Sequence, residues 1–246
     1  MTLQDKVAII TGAASGIGRS IARKFAAEGA KIVIADMDED RLAKVHAEVG
    51  GDMMLCDVSK PEQTAALVHR AIDLHGRIDI LCNNAGVLDN LTPATDTDDE
   101  LWDKVIAVNM TGPFQLSRAV LKHMVEQGSG SIVNTTSAAG LNGGRGGCSY
   151  TASKHGLVGL TRSIAWFYGP KGIRCNAVAP GAIQTRMAST LVPHMEGFER
   201  YQGYFATIPP HGKAIQVADV VAFLASDAAG YVNGAVMPVD GGWSTF

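Results

Sequence analysis

KVAIITGAASGIG, at residues 6–18, joins an apolar β-branched run to a glycine-rich turn and the start of a helical pattern. The run predicts a buried strand over residues 6–11 and a helix that begins near Ile17. In this context the backbone N–H groups at the helix N-terminus can bind a pyrophosphate. The GxxxGxG spacing differs from the general GxGxxG fingerprint, and taken alone it fits a mere tight turn equally well.

The same alternation of apolar runs and helical periodicity continues along the chain. Further strands are predicted at residues 31–35, 53–56, 78–82, 131–135 and 173–178. Further helices are predicted to begin near Glu39, Pro61, Asp99, Ser149 and Val217. Strands without polar alternation are buried on both faces, which is typical of a parallel sheet between two layers of helices. We therefore expect an α/β, doubly wound, Rossmann-type three-layer fold with a central parallel sheet of about seven strands.

Composition limits the classes of protein to which the chain can belong. Its 246 residues are 46% apolar and 18% charged, as in a globular protein, and the formal net charge is −3. A negative chain offers no cationic field for nucleic acid or anionic lipid, and its longest apolar run, residues 220–225, is far too short to span a membrane. Asp5 and Lys6 interrupt any signal-peptide pattern, so we expect a cytoplasmic protein.

The chain is expected to form one domain, residues 1–246, because no linker or change of composition divides it. Residues 183–212, rich in Met, Phe, Tyr, Pro and His, interrupt the alternation of strands and helices and are expected to cover a site. The four cysteines form no CxxC pair and the seven histidines no HxxxH or HExxH pair, so no metal site is predicted.

Three residues carry a chemical signal of their own. Asp36 ends the second predicted strand, where a carboxylate can accept hydrogen bonds from the ribose hydroxyls of a dinucleotide; the alternative is a solvated acid at a strand end. Tyr150 and Lys154 are four residues apart and share one face of a predicted helix. A lysine at this spacing lowers the pKa of the phenol, as a general acid/base near neutral pH requires.

These features occur together with further motifs, and over essentially its whole length the chain resembles the short-chain dehydrogenase/reductase family in its short single-domain form. The matching motifs, in the family's order, are Thr11 to Gly18, Asp57-Val58, Asn83-Asn84-Ala85-Gly86, Asn109, Ser137, Tyr150-Thr151-Ala152-Ser153-Lys154, Pro180-Gly181 and Val239-Asp240-Gly241-Gly242.

The resemblance implies a role for each matching residue. Tyr150 would be the acid/base, Ser137 would hydrogen-bond the reacting oxygen, and Lys154 would also bind the nicotinamide ribose. The backbone of Asn109, in a distorted helix, would hold a water that joins Lys154 to a proton relay. The residues implied in binding the cofactor are Gly12, Ser15, Gly16, Ile17, Gly18, Asp36, Met37, Asp57, Val58, Asn84, Ala85, Gly86, Tyr150, Lys154, Pro180, Gly181, Ile183 and Thr185.

We therefore expect an oxidoreductase that moves hydride between NAD(H) and a small secondary alcohol or ketone, without a metal. Within the family the pattern is similar to 3-oxoacyl-[acyl-carrier-protein] reductases and to glucose or hydroxysteroid dehydrogenases. An NADPH-linked carrier-protein reductase is the alternative, although residues 126–130 lack the basic docking residues of those enzymes, while Lys171 keeps a charge at a second docking region. A non-catalytic dinucleotide-binding protein is the third possibility.

The substrate is the least determined part of the prediction. Residues 88–91, 138–148 and 183–212 are expected to form its pocket, and the composition favours a medium-sized, partly apolar molecule. The large side chains of the last segment form either an adaptable lid or the packing of a subunit contact: Met187, Met195, Phe198, Tyr201, Tyr204 and Phe205. The resemblance implies a homotetramer built on the helices at residues 99–127 and 149–167, the second of which ends in Trp166, Phe167 and Tyr168.

Overall fold

The computed structural model describes residues 2–245, and for Tyr204 and Phe205 it describes the backbone alone. The strands within these residues are β1 Val7–Thr11, β2 Lys31–Asp36, β3 Asp52–Leu55, β4 Ile80–Asn83, β5 Gly130–Thr135, β6 Ile173–Pro180, β7 Ile183–Gln184, β8 Gly212–Lys213 and β9 Val236–Val239. The α-helices are α1 Gly16–Ala27, α2 Glu39–Val49, α3 Pro61–His75, α4 Asp99–Ile106, α5 Gly112–Gln127, α6 Cys148–Tyr168, α7 Arg186–Ser189, α8 Met195–Phe205 and α9 Ala214–Ala225.

Seven strands form one parallel sheet in the order β3-β2-β1-β4-β5-β6-β9. The chain runs outward from β1 in one direction and then, from β4 on, in the other, so the direction reverses between these two neighbouring strands. In open sheets of this kind ligands bind at the carboxyl ends of the strands beside that reversal. The prediction of a doubly wound sheet of about seven strands is confirmed.

Helices cover both faces of the sheet, as the unbroken apolar strands require. All five residues of β1 are buried. Ala8 and Ile10 belong to a core cluster shared with α1, α2 and α9, while Ile9 belongs to the opposite cluster, shared with α3, α5 and α6. Successive residues of one strand therefore contribute to the two layers in turn.

The structure corrects several predicted boundaries. The helix expected over residues 99–127 is divided into α4 and α5 by a π-helical turn, Ala107–Thr111. The helix predicted from Val217 begins at Ala214, because the backbone N–H of Lys213 donates to Gln216 Oε1 at 2.7 Å and caps it. The last strand of the sheet, β9, was not among the runs identified as strands; its residues lie partly exposed and include Pro238.

The segment at residues 183–212 holds β7, α7 and α8, and β7 pairs with β8 in a small sheet of its own. It is joined to the rest of the chain near the carboxyl edge of the main sheet. The Tyr201 hydroxyl donates to the Gly146 carbonyl at 2.8 Å, and the His194 N–H donates to the Asn90 carbonyl at 2.7 Å. No helix within residues 2–245 combines the length and the apolar character that a membrane crossing demands.

Candidate active site

A cleft of about 640 Å³ opens at the carboxyl edge of the sheet, beside the neighbouring strands β1 and β4, between which the strand order reverses. One part of its wall comes from the turn between β1 and α1 and from the ends of β2 and β4. The other part comes from the segments after β5 and β6, from α6 and from the C-terminal segment. The cleft therefore gathers residues that are distant in the sequence at the position where α/β sheets bind ligands.

The glycine turn leaves room in the cleft because it has almost no side chains. Gly12 and Gly16 adopt φ values of +65° and +53°, which favour glycine. A Cβ on Gly18 would overlap the carbonyl oxygen of Gly12, so α1 starts directly against the turn. The Asn84 side chain locks this arrangement by donating to the carbonyls of Thr11 at 3.0 Å and Gly12 at 3.3 Å. The turn presents backbone to a ligand at a helix N-terminus, which suits a pyrophosphate.

Asp36 closes this end of the cleft at the end of β2. Its two carboxylate oxygens accept hydrogen bonds from the N–H groups of Ala14 at 3.0 Å and Asp38 at 3.1 Å, which hold the carboxylate over the glycine turn. Asp38 pairs with Arg41 at 2.5 Å and lies 3.6 Å from Arg186. The carboxylate of Asp36 is thus fixed beside a small hollow whose charged side chains are Arg19, Arg41, Lys44, Glu48 and Arg186.

Tyr150, Lys154 and Ser137 meet in the middle of the cleft. Lys154 Nζ lies 5.6 Å from the centre of the Tyr150 ring and donates to the Thr135 carbonyl at 2.9 Å. Burial lowers the pKa of Lys154 to about 8. Burial raises the pKa of Tyr150, the hydrogen bond with Ser137 lowers this pKa, and the negative charge of Asp89 raises it. The net shift of the Tyr150 pKa is upward, opposite to the lowering that was expected from Lys154, because burial has the largest effect.

Asn109 lies behind this group, in the π-helical turn. Its side-chain amide is completely buried, exchanges hydrogen bonds with the backbone of Val87 at 2.8 and 2.9 Å, and donates to Ser153 Oγ at 3.1 Å. A Cβ on Gly86 would lie 3.3 Å from Asn109 Oδ1 and 3.5 Å from Lys154 Nζ. The distorted helix expected at Asn109 is present, and Gly86 lies between its side chain and the lysine.

Asp89 lines the cleft within residues 88–91, the segment expected to form part of the substrate pocket, but no role was predicted for its carboxylate. Its carboxylate is buried and accepts hydrogen bonds at the beginning of α6, from the Gly147 N–H, the Ser149 hydroxyl and the Tyr150 N–H. These partners follow about sixty residues later in the chain, so no local pattern links them. Trp243, which also lines the cleft, was not predicted as a site residue, whereas His211 lies within residues 183–212, the segment expected to cover the site.

The predicted cofactor residues do not all reach the cleft. Those that line it are Gly12, Ser15, Gly16, Ile17, Asp36, Asn84, Ala85, Gly86, Tyr150, Lys154, Pro180, Gly181, Ile183 and Thr185. Gly18 packs against the Gly12 carbonyl and does not line the cleft. Met37 also lies outside the lining, and its side chain is 74% exposed. Asp57 and Val58 also lie outside it: the Asp57 carboxylate accepts from Ser59, and Val58 packs against Gly112.

Only some of the residues that were predicted to cover the site line the cleft. Met187 lines the cleft together with Ala188 and Leu191, whereas Met195 is 74% exposed and lies outside the lining. Tyr201 lies against Gly146 on the neighbouring surface. The side chains of Tyr204 and Phe205, which were predicted to form part of a lid or of a subunit contact, fall outside the described residues.

Comparison with known proteins gives consistent matches. Residues 12–244 match the family model described as enoyl-(acyl carrier protein) reductase. The chain is similar to 3beta-hydroxysteroid dehydrogenase 2 of Eggerthella lenta, with 39% identity over 99% of the chain and 96% of that protein. It is also similar to a 3-oxoacyl-[acyl-carrier-protein] reductase of Thermotoga maritima, with 39% identity over 98% of the chain and 99% of the relative. The crystal structure of levodione reductase superposes with a TM-score of 0.91 at 40% identity, covering 99% of each chain.

Proposed function

The chain belongs to the short-chain dehydrogenase/reductase family of oxidoreductases, and we propose that it transfers hydride between NAD(H) and a secondary alcohol or ketone. The observation that carries this proposal is the meeting of Tyr150, Ser137 and Lys154 in the cleft that begins at the glycine turn. A proton donor beside a site for a dinucleotide is what reversible carbonyl reduction requires.

The residues of the cleft fit a nicotinamide dinucleotide. The turn at Gly12 and Gly16 has the open backbone that a pyrophosphate needs, and Asp36 has the carboxylate that a ribose diol needs. Lys154 and Thr185 line the continuation of the cleft and would hold the nicotinamide ribose and carboxamide. A Cβ on Gly16 would lie 3.2 Å from the Thr185 methyl, so this threonine closes over the turn.

The mechanism follows from the protein's own groups. The bound dinucleotide supplies the hydride for reduction and takes it up in oxidation. The hydroxyls of Ser137 and Tyr150 hydrogen-bond the carbonyl oxygen, which polarises the carbonyl and stabilises the negative charge that develops on it. Tyr150 then donates its proton to that oxygen. In alcohol oxidation the Tyr150 phenolate takes the hydroxyl proton, and the ammonium of Lys154 lowers the free energy of this phenolate.

Asp36 supports the choice of NAD over NADP. Each charge-assisted hydrogen bond from a ribose hydroxyl to the carboxylate stabilises bound NAD by about 1.5–3 kcal/mol. A 2′-phosphate at the same position would face the carboxylate, and like charges near 4 Å cost a few kcal/mol at an effective dielectric of about 20. We expect NAD to be preferred at least about a hundredfold in kcat/KM, which corresponds to about 2.7 kcal/mol.

An NADPH-linked 3-oxoacyl-[acyl-carrier-protein] reductase is the second candidate. The similarity to such a reductase from Thermotoga maritima favours it, and so does the hollow beside Asp36, which contains three arginines and one lysine. The pairing of Arg41 and Arg186 with Asp38, and of Arg19 with Glu48, opposes it because these cations already have anionic partners. Equal efficiency with the two coenzymes would favour this candidate.

We also propose a homotetramer and a cytoplasmic location. The outer surface of α4, α5, α6 and the π-helical turn carries large apolar side chains that one subunit leaves in water: Trp102, Met110, Phe114, Trp166 and Phe167, of which Trp166 is 80% exposed. Light scattering at micromolar concentration tests the assembly, and a monomer would contradict it. All four cysteines are free thiols, as is usual in the reducing cytoplasm.

The test of the function is a screen of secondary alcohols, hydroxy acids, sugars and β-hydroxyacyl thioesters with NAD and with NADP. We expect turnover of at least one alcohol class with NAD and a loss of at least about 10³-fold in Tyr150→Phe. Tyr168→Phe, at the far end of the same helix, is the matched control and should keep full activity. Unchanged activity in Tyr150→Phe would contradict the mechanism, and failure with every alcohol would favour the non-catalytic dinucleotide-binding alternative.

A further inference from the structure

Asp89 is an ionisable residue in the wall of the cleft whose purpose the proposed mechanism does not explain. It follows β4 and is only 1% exposed, although a carboxylate is costly to remove from water. A charge in this position persists only when hydrogen bonds replace its hydration. The arrangement of these hydrogen bonds is therefore informative.

Four donors surround the carboxylate. Oδ1 accepts from the backbone N–H groups of Gly147 at 3.0 Å and Leu91 at 3.2 Å. Oδ2 accepts from the Tyr150 N–H at 2.8 Å and from the Ser149 hydroxyl at 3.2 Å. Gly147 is the N-cap residue of α6, so Asp89 caps this helix from a distant part of the chain.

We propose that Asp89 is a positioning residue for Tyr150: its carboxylate fixes the first turn of α6 and places a buried negative charge in the surroundings of the phenol. This inference rests on the proposed function only in giving the phenol a catalytic role. The fixed helix end sets where the phenol stands in the cleft. The charge favours the protonated phenol, the form that donates a proton in carbonyl reduction.

The other groups around the phenol define what Asp89 adds. Lys154 faces it from the same helix and Ser137 from the segment after β5, while Arg145 and His211 line the same cleft. The side chains that pack on the ring from α4, from the segment after β4 and from the segment after β5 are apolar: Leu101, Val105, Val87, Leu88 and Ala139. The charge of the Asp89 carboxylate raises the pKa of Tyr150, so removing this charge should lower that pKa.

The test is a direct titration of Tyr150 in the free protein. The chain has only five tyrosines, so ring-carbon NMR of protein with ¹³C-labelled tyrosine, with Tyr150→Phe to assign the signal, reports its ionisation. We expect Asp89→Asn to lower the Tyr150 midpoint by about one pH unit, because it removes a buried negative charge that raises the pKa of Tyr150. The Tyr150 amide should also exchange with solvent faster as the cap weakens.

Asp98→Asn is the matched control. Asp98 caps α4, accepting from the Leu101 N–H at 2.8 Å, yet its carboxylate lies outside the cleft. It should leave the Tyr150 midpoint unchanged. If Asp89→Asn does not fold, Asp89→Ser keeps an N-capping hydroxyl without the charge and should shift the midpoint in the same direction.

The outcomes separate this inference from the proposed function. An unchanged or raised midpoint in both Asp89 variants, or an equal shift in Asp98→Asn, would overturn the role of the charge. Unaltered exchange of the Tyr150 amide would overturn the role in positioning. The titration needs neither coenzyme nor substrate, so it stands even if every alcohol fails; where one is oxidised, its pH profile in Asp89→Asn should move to lower pH by the same amount.

Discussion

The cleft has two halves that are built differently. The coenzyme half, formed by the turn at residues 12–18, Asp36 and residues 84–86, consists mainly of backbone at the ends of three neighbouring strands. The substrate half, formed by residues 88–91, Arg145, residues 187–191 and Trp243, consists of side chains from separate loops.

The difference has a physical origin in how each half is held. Thr11 and Asn84 tie the coenzyme half together through hydrogen bonds between β1 and the segment after β4. In the substrate half, Asn90 and Leu91 adopt left-handed backbone conformations with φ of 55° and 63°, which are unfavourable for a non-glycine residue. The shape of the coenzyme half therefore depends on backbone geometry, whereas the shape of the substrate half depends on contacts that particular side chains make.

The first prediction breaks the coenzyme half at Gly18. In Gly18→Ala the new Cβ would overlap the Gly12 carbonyl and approach the Asn84 amide, and neither the backbone nor the locked side chain can yield freely. We expect the free energy of unfolding to fall by about 3 kcal/mol, and the coenzyme to bind more weakly. Chemical denaturation and coenzyme titration measure the two effects.

Gly159→Ala is the control for this substitution. Gly159 lies in the middle of α6, and within one subunit a Cβ there would meet no atom within 4 Å. Alanine at an open helical position should raise stability by about 0.5–1 kcal/mol. Equal losses in the two variants would show that the close approach at the glycine turn is not what limits substitution.

The second prediction sharpens the chemistry of the coenzyme half at Asp36. Asp36→Ala removes the carboxylate that favours the ribose diol and opposes a 2′-phosphate, so most of the expected hundredfold preference for NAD should disappear, about 2.7 kcal/mol. The cations of the neighbouring hollow would then attract the 2′-phosphate of NADP without the opposing charge of Asp36. Steady-state kinetics with both coenzymes measure the ratio, and Asp40→Ala, an exposed acid in the first turn of α2, should leave it unchanged.

These two halves were not equally predictable from the sequence. The glycines, Asp36 and the Tyr150–Lys154 pair lie at the ends of predicted elements or within one helix turn, so local periodicity places them on those elements. The glycine spacing alone fits a tight turn equally well, and its role needed the family resemblance. The fold followed from the same local signals, since buried parallel strands are continuous apolar runs. β9 escaped detection because it has only four residues and Pro238 interrupts its apolar run.

The rest depends on contacts between distant residues. Asp89 bonds to the start of α6, and Arg145 stacks on Trp243 at 4.0 Å from the ring centre and donates to its carbonyl at 3.2 Å, across 98 residues of chain. No spacing rule connects such partners. The π-helical turn at Asn109 is also set by tertiary contacts, because the buried amide is bound to Val87 and Ser153.

The third prediction concerns Lys154, where the halves meet. Burial lowers the pKa of this side chain to about 8, so below pH 8 its buried charge destabilises the fold. Lys154→Met removes the charge and also the hydrogen bond to Thr135, and we expect a net gain of about 2 kcal/mol in the free energy of unfolding at pH 7, together with loss of activity.

The pH dependence of this gain has a definite sign. Below pH 8 both the folded and the unfolded wild-type chains carry the proton on Lys154. Between pH 8 and the unfolded value of 10.5 the unfolded chain holds more protons, so wild-type stability rises with pH relative to the variant. The advantage of Lys154→Met should therefore shrink above pH 8. Lys171→Met, at an exposed lysine, should show no such dependence in the same denaturation series, and an advantage that grew with pH would contradict the assignment.

The last and smallest effect concerns the substrate half, and it uses two methionines of one segment. Met187 is 39% exposed and lines the cleft, whereas Met195 is 74% exposed and lies outside it. Burial of a whole methionine side chain contributes about 1.5–3 kcal/mol, so a side chain that is partly covered by substrate should contribute about 1 kcal/mol. We expect Met187→Ala to raise KM about fivefold for the best alcohol of the screen, to leave kcat and the coenzyme Kd unchanged, and to differ from Met195→Ala, which should be silent. If the segment instead packs only against the fold or against another subunit, both substitutions would lower stability or assembly and neither would change KM, so the pair decides whether residues 183–212 cover the substrate.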